Sequence, residues 1–170
     1  EFFWNMIKDK ENNIWACSAS GLYLFNDQKK IFEAVENTFP FTGLYDLAMD
    51  KQANIWLTGT GMVVKYNPSE RKYKTYDVTA NPETVKNSFF IETDEKGVVW
   101  ICTRNGELMH YNEKDDSFDK PAFCNDFKGL LVSSFGKGSD NTIIVGTDGT
   151  GIVQVNTVTN EINILNHNPD

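Results

Sequence analysis

The residues able to do chemistry in this chain are few and scattered. There are two histidines: His110 lies in a strand-like run beside Tyr111, and His167 lies near the end of the chain. Neither is accompanied by a Gly-x-Ser-x-Gly elbow, a His-Glu-x-x-His pair or a phosphate loop, the spacings that hydrolases and nucleotide enzymes need. The glycine-rich run from Gly146 to Gly151 is in step with turns elsewhere in the chain and reads as a hairpin. The adjacent carboxylates Asp115 and Asp116 read as a solvated corner rather than the paired acids of a glycosidase. Three cysteines, Cys17, Cys102 and Cys124, leave one unpaired in any scheme and match no metal-ligand spacing, so no metal and no cofactor is expected.

What remains is recognition chemistry. Trp4, Tyr45, Phe89 and Ser133 each stand eleven residues before an equivalent position in a repeated sentence. Three aromatics at one repeat position suit the stacking of a sugar ring, since a flat apolar face beside polar groups fits a carbohydrate. Arg104 and Asp148 occupy a second matching position, where the other copies carry Ala19 and Thr60. A guanidinium and a carboxylate on one face can fix hydroxyls or an acidic sugar. Asn87 and Lys128 lie near starts of the same strands and are weaker additions. These positions differ between copies, and that is why they are the candidates: scaffold positions repeat, whereas ligand contacts need not.

The elements that position them follow from the repeat. Asp9 to Trp15, Asp50 to Trp56 and Asp94 to Trp100 are three legible copies, and a worn fourth ends at Ile144. The anchors Trp15, Trp56, Trp100 and Ile144 are 41, 44 and 44 residues apart. A period of that size marks a solenoid or propeller. Each copy holds four short runs of β-branched and aromatic residues; in the second they are 45–49, 54–58, 62–66 and 72–76. Four strands per period, with no helical periodicity, is one propeller blade. The expected fold is therefore all-β, four blades of four antiparallel strands, divided as 1–40, 41–84, 85–127 and 128–170. Glycines serve the second-to-third turns, and Asn26, Asn67, Asn112 and Asn156 open the third-to-fourth turns, where asparagine tolerates left-handed backbone and bonds its own main chain. The three tryptophans and Ile144 are assigned to packing between blades, and Cys17 and Cys102 to a small-residue slot two positions later.

Sixteen basic against 24 acidic residues give a net charge of -8, which disfavours direct nucleic-acid binding. No apolar run is long enough to span a bilayer, so no membrane contact by this segment is expected. The chain starts without methionine inside a strand-like pattern, and reads as a piece of something longer.

The motif of Asp, three residues, Gly or Asn, Ile/Val-Trp-Ile/Leu-Gly-Thr, then Gly-Leu and Tyr/Phe-Asn/Asp, resembles the two-component regulator propeller repeat. It is carried by residues 13–26, 99–106 and 145–152. Departures are Cys17, Thr58 and Cys102 at the glycine position, Ile144 for tryptophan, and Gly138 where an aspartate belongs. The resemblance implies blades of a seven-bladed ring in the periplasmic sensor half of a hybrid two-component system of gut Bacteroidetes. It further implies a glycan breakdown product as ligand, and a histidine kinase and transcriptional regulator outside this chain. The segment itself would be no enzyme. The alternatives are a protein-interaction scaffold and, behind it, a propeller lyase of the streptogramin-inactivating type. Partners would be an oligosaccharide or other small ligand, and either further blades of the parent or a second copy, because an incomplete ring exposes apolar blade faces.

Overall fold

A computed structural model describes residues 2–35, 39, 43–59, 61–78, 89–127 and 129–165. The strands form four antiparallel sheets, each of four strands in sequence order. The first holds β1 (Phe3–Lys8), β2 (Ile14–Ser18), β3 (Gly21–Asn26) and β4 (Ile31–Ala34). The second holds β5 (Leu44–Met49), β6 (Ile55–Gly59), β7 (Met62–Asn67) and β8 (Lys72–Asp77). β9 (Phe89–Thr93), β10 (Val99–Thr103), β11 (Leu108–Asn112) and β12 (Ser117–Asp119) make the third, and β13 (Val132–Lys137), β14 (Thr142–Thr147), β15 (Gly151–Asn156) and β16 (Ile162–Leu165) the fourth. The connection from β12 to β13 contains a six-residue 3-10 helix, Ala122–Phe127.

The sheets group into two compact units, Glu1–Phe89 and Phe90–Asp170. In the first, Trp15, Cys17 and Leu22 of the first sheet pack against Leu44, Leu47, Ile55, Leu57, Val64 and Tyr66 of the second. In the second, Trp100, Cys102 and Leu108 pack with Val132, Ile143, Val145, Val153 and Val155, and the 3-10 helix adds Cys124 and Phe127. Alternate residues of a strand face opposite sides of its sheet. That all five residues of β6 and of β10 are buried shows both sides of these strands covered.

The repeated aspartate and tryptophan are bonded to each other. Trp15 Nε1 donates to Asp9 Oδ2 at 2.9 Å, Trp56 Nε1 to Asp50 Oδ2 at 2.7 Å, and Trp100 Nε1 to Asp94 Oδ2 at 3.2 Å. The other carboxylate oxygen accepts backbone N–H groups of the same turn, from Asn13, Asn54 and Val98 respectively. Each tryptophan is thus buried with its one polar atom satisfied. In the fourth sheet both partners are gone together. A Cβ on Gly138 would overlap the Thr142 hydroxyl and sit 3.2 Å from Ile144 Cδ1, so the smaller pair closes on itself.

The same turn bends through a left-handed residue three before each anchor: Asn12 (φ 70°), Ala53 (φ 62°), Gly97 (φ 79°) and Asn141 (φ 59°). In the third-to-fourth turns the asparagines do bond the main chain, each side-chain oxygen accepting from the second and third N–H onward. The left-handed residue there is not the asparagine but the one four positions later, Lys30, Arg71, Asp116 or Asn160. The side chain that accepts two amides stays in ordinary backbone space, and the reversal is displaced to the turn's last residue.

Candidate functional site

The position eleven before each anchor has a structural cause for being special. In the first sheet Phe3 pairs with Ser18 and Asn5 with Cys17, so Trp4 is an extra residue in β1. In the second, Leu44 pairs with Gly59 and Asp46 with Thr58, leaving Tyr45 as the extra one. In the fourth, Val132 pairs with Thr147 and Ser134 with Gly146, leaving Ser133. A β-bulge of this kind puts two residues opposite one, bends the strand and re-aims the extra side chain. The small slot two past each anchor lies against these bulges, occupied by Cys17, Thr58 and Gly146; a Cβ on Gly146 would overlap the Ser134 hydroxyl.

The bulge delivers Trp4 and Tyr45 to solvent and to each other. Trp4 is 58% exposed and Tyr45 36%, against 6%, 0% and 4% for Trp15, Trp56 and Trp100. Their ring centroids are 6.4 Å apart at an interplanar angle of 53°, an open wedge rather than a flat shelf. In the residues that follow them, Asn5 Nδ2 donates to Asp46 Oδ1 at 2.6 Å, joining β1 to β5. The same two side chains accept from the backbone N–H of the following residue, Met6 and Leu47. Asn5 and Asp46 carry a polar role the aromatic pattern did not disclose. Their signal in the sequence is only that each directly follows a bulge aromatic. Phe89 opens β9, but its side chain, like Thr60, Asn87, Lys128 and His167, lies outside the described residues.

Arg104 and Asp148 meet through backbone in the second unit. Arg104 O accepts from Val132 N at 2.8 Å, and Asp148 N donates to Leu131 O at 2.7 Å. The two turns therefore grip either side of the Leu131–Val132 segment, just before the bulge residue Ser133. Both charged side chains are exposed. Gly106, with φ 79°, fixes the Arg104 turn: a Cβ there would collide with the Phe127 carbonyl. The Thr103 hydroxyl accepts from Glu107 N and stiffens the same loop.

Among the described residues, no group of side chains placed for metal binding is found at either place. His110 is half-buried against Trp100, ring centroids 5.0 Å apart. Among the described residues no group of three His, Cys, Asp or Glu side chains is placed to hold a metal ion. Burial pushes the Cys17 thiol up to about 12, helped by the negative charge of Asp46, and burial does the same for Cys102, also to about 12, with Cys124 nearby. Such thiols are inert at neutral pH. Asp115 and Asp116 sit in a turn, taken up by Asn112 and Tyr111. No helix among the described residues is long and apolar enough to cross a membrane.

No family model matches the chain, and no curated protein matches it in sequence. Solved structures do match. The extracellular domain of BT4673 from B. thetaiotaomicron, described as a hybrid two-component system, superposes with a TM-score of 0.73 at 20% identity, over 95% of this chain and 22% of that one. The virginiamycin B lyase of Staphylococcus aureus, in complex with quinupristin, gives 0.75 at 15% identity, over 99% of this chain and 56% of the lyase. The fold is that of β-propeller blades. A second B. thetaiotaomicron extracellular domain, from the system BT3049, gives 0.70 at 16% identity over 98% of this chain and 25% of that one. The propeller segment described here thus spans about a quarter or less of the two-component sensor domains it is similar to. Likeness at these identities carries the architecture, and the site must be argued from its own residues.

Proposed function

We propose that this chain is part of the extracytoplasmic ligand-sensing propeller of a hybrid two-component system, and that it binds a saccharide through the bulge residues Trp4 and Tyr45. The observation that carries the reading is the repeated bulge. A fold that buries Trp15, Trp56 and Trp100 with their indoles bonded expends the same residue type at Trp4 on solvent, paired with a second exposed ring. Exposed aromatic faces with polar side chains on neighbouring residues are what pyranose rings stack and hydrogen-bond against. Arg104 and Asp148, exposed and held by the β13 entry, are the polar contacts proposed for the second unit. The apolar side chains left exposed at and just before the first sheet, Met6 and Phe2, and on the fourth, Ile152 and Leu165, suit cover by further blades of a parent chain.

The similar domains of BT4673 and BT3049 are extracellular parts of hybrid two-component systems, and the same role here would make this segment input only. Signal transfer to a kinase and regulator would then lie outside it. The similarity to a lyase supplies a second reading, but His110 packs its ring against the buried Trp100, centroids 5.0 Å apart.

A thermal-shift screen against oligosaccharides tests the proposal, because a ligand that prefers the folded state raises Tm by mass action. A hit whose affinity falls at least about tenfold with Trp4→Ala, a loss of about 1.4 kcal/mol, supports it. Affinity unchanged by both Trp4→Ala and Arg104→Ala refutes the site, and turnover of a screened glycan by the purified chain favours the lyase reading.

A further inference from the structure

Four equivalent asparagines open the third-to-fourth turns, and the amide nitrogen of one of them is left over. Asn26 Nδ2 donates to Glu33 Oε2 at 2.9 Å and Asn112 Nδ2 to Asp119 Oδ2 at 2.7 Å, a carboxylate on the fourth strand in each case. Asn156 Nδ2 donates instead to the Asp140 carbonyl at 3.2 Å. In the second sheet the strand register puts Lys74 where Glu33 and Asp119 stand. Asn67 keeps its turn, its Oδ1 accepting from Ser69 N, Ser69 Oγ and Glu70 N, but its Nδ2 has no acceptor among the described residues. The carboxylate that this amide holds in two sister sheets is missing here.

A cavity of about 390 Å3 opens beside that amide. Lys65, Lys72 and Lys74 line it together with the side-chain amides of Gln52, Asn54 and Asn67, and no carboxylate lines it. Lys65 stands directly opposite Lys74 across β7 and β8, a like-charge pairing that costs stability. The same pair is Leu24 and Glu33, His110 and Asp119, or Gln154 and Asn163 in the other sheets. Each lysine is carried by a ring, Lys65 Nζ 5.1 Å from the Trp56 centroid and Lys74 Nζ 4.9 Å from that of Tyr76. An ammonium has three donors, so it can serve an oxyanion alongside another contact. Glu70 meets Lys72 at 3.7 Å, but both are exposed and such a pair is weak. Asn54, 7% exposed, donates its Nδ2 to Asp50, and its Oδ1 has no donor among the described residues. One acceptor among several donors suits a ligand that carries hydroxyls as well as a negative charge.

We infer that this cavity is a further binding site, for the carboxylate of a small hydroxylated acid, which takes the place that Glu33 and Asp119 fill in the first and third sheets. The first sheet shows that such an amide does favour a carboxylate: the Asn26 bond, ahead of that from Lys29, holds the Glu33 carboxyl below its ordinary value. The local cations also set the cavity apart from a chain whose net charge is -8. The site is separate from the Trp4–Tyr45 wedge and does not rest on it.

Glucuronate and glucose share one ring configuration and separate charge from shape when titrated into the 170-residue chain at about pH 7, where the acid is ionised and lysine charged. The side-chain amide resonance of Asn67, assigned by its loss in Asn67→Asp, reports occupancy. That variant keeps an oxygen to accept from Ser69 N and Glu70 N, so the turn persists. Glucuronate is expected to shift the resonance with a Kd at least about tenfold below that of glucose. Lys74→Glu, at an exposed position, restores the acceptor of the first and third sheets. It should leave the fold intact and abolish glucuronate binding, because the site then holds its own carboxylate. Trp4→Ala should leave the shift unchanged. No shift with glucuronate, equal affinities for glucuronate and glucose, or a shift that survives Lys74→Glu overturns the inference. So does a shift abolished by Trp4→Ala, or displacement of glucuronate by an equal concentration of inorganic sulfate. The saccharide reading of the wedge is decided separately by the oligosaccharide screen.

Discussion

Replacing Asp50 by alanine strikes the bond that the repeated motif is built around. Its Oδ1 accepts from Gln52 N at 3.0 Å and Asn54 N at 2.9 Å; its Oδ2 accepts from Asn54 Nδ2 at 2.9 Å and Trp56 Nε1 at 2.7 Å. Gln52 is exposed and water can replace its bond, but Asn54 and Trp56 are buried, so three donors lose their acceptor without access to solvent. At about 1–2 kcal/mol for each stranded donor the loss is roughly 3–6 kcal/mol, a large part of the about 5–15 kcal/mol that holds a domain. Asp9 makes the same set of bonds to Glu11, Asn13 and Trp15, yet most of them are exposed. Asp9→Ala should therefore cost only about 1 kcal/mol. Both residues lie in the same compact unit, so urea unfolding followed by tryptophan fluorescence compares like with like. An Asp50→Ala protein within about 1 kcal/mol of the parent, or an Asp9→Ala protein hurt more than Asp50→Ala, would refute burial as the quantity that sets the worth of this bond.

Four further outcomes are expected. Burial acts to raise the Asp9 carboxyl, but the bonds from Trp15, Asn13 and Glu11 together outweigh it and hold it below its ordinary value. The stability that Asp9 contributes relative to Asp9→Asn should therefore be full above about pH 4 and shrink as pH falls further, which paired urea curves across that range would show. Ala53 sits at φ 62°, where a Cβ is strained by roughly 1–2 kcal/mol; Ala53→Gly should raise the urea midpoint, by about 0.5–1 kcal/mol after the entropy of the freer unfolded chain is subtracted, and a lower midpoint would contradict it. Gly106→Ala forces a Cβ into the Phe127 carbonyl at a positive φ and should cost more than about 2 kcal/mol, read from the second unit's unfolding transition. Cys17, Cys102 and Cys124 are fully buried, so an aromatic disulfide reagent at about pH 8 should titrate none of them until denaturant is added.

Comparison of the four copies separates what a linear pattern carries from what only folding makes. Local chemistry repeats faithfully, so the strands, the glycine turns and the amide-accepting asparagines were all readable from residue types at fixed offsets. The strands expected in the second copy differ from those observed by one residue at most of their ends. Burial of the three tryptophans was readable for the same reason, since an apolar ring recurring at one place must face the same neighbour each time. The Arg104 and Asp148 turns were legible as matching positions, but not that both grip the entry to β13, because those bonds join backbone to backbone and leave no trace in side-chain type.

The sequence by itself determined the blade: its period, its turns, its anchors and the all-β class, because each depends on contacts within a few residues or on a repeat stacking upon itself. It also marked Trp4 and Tyr45 as standing where copies disagree. Tertiary structure alone decided that the repeated aspartate exists to satisfy an indole, which explains why Gly138 and Ile144 replace the pair together. It alone decided that a bulge turns Trp4 and Tyr45 outward and brings them together, and that Asn5 bonds Asp46, 41 residues away in the chain. Register and inter-strand contact are set by pairing between distant segments, and no local residue preference encodes which distant partner a strand will meet.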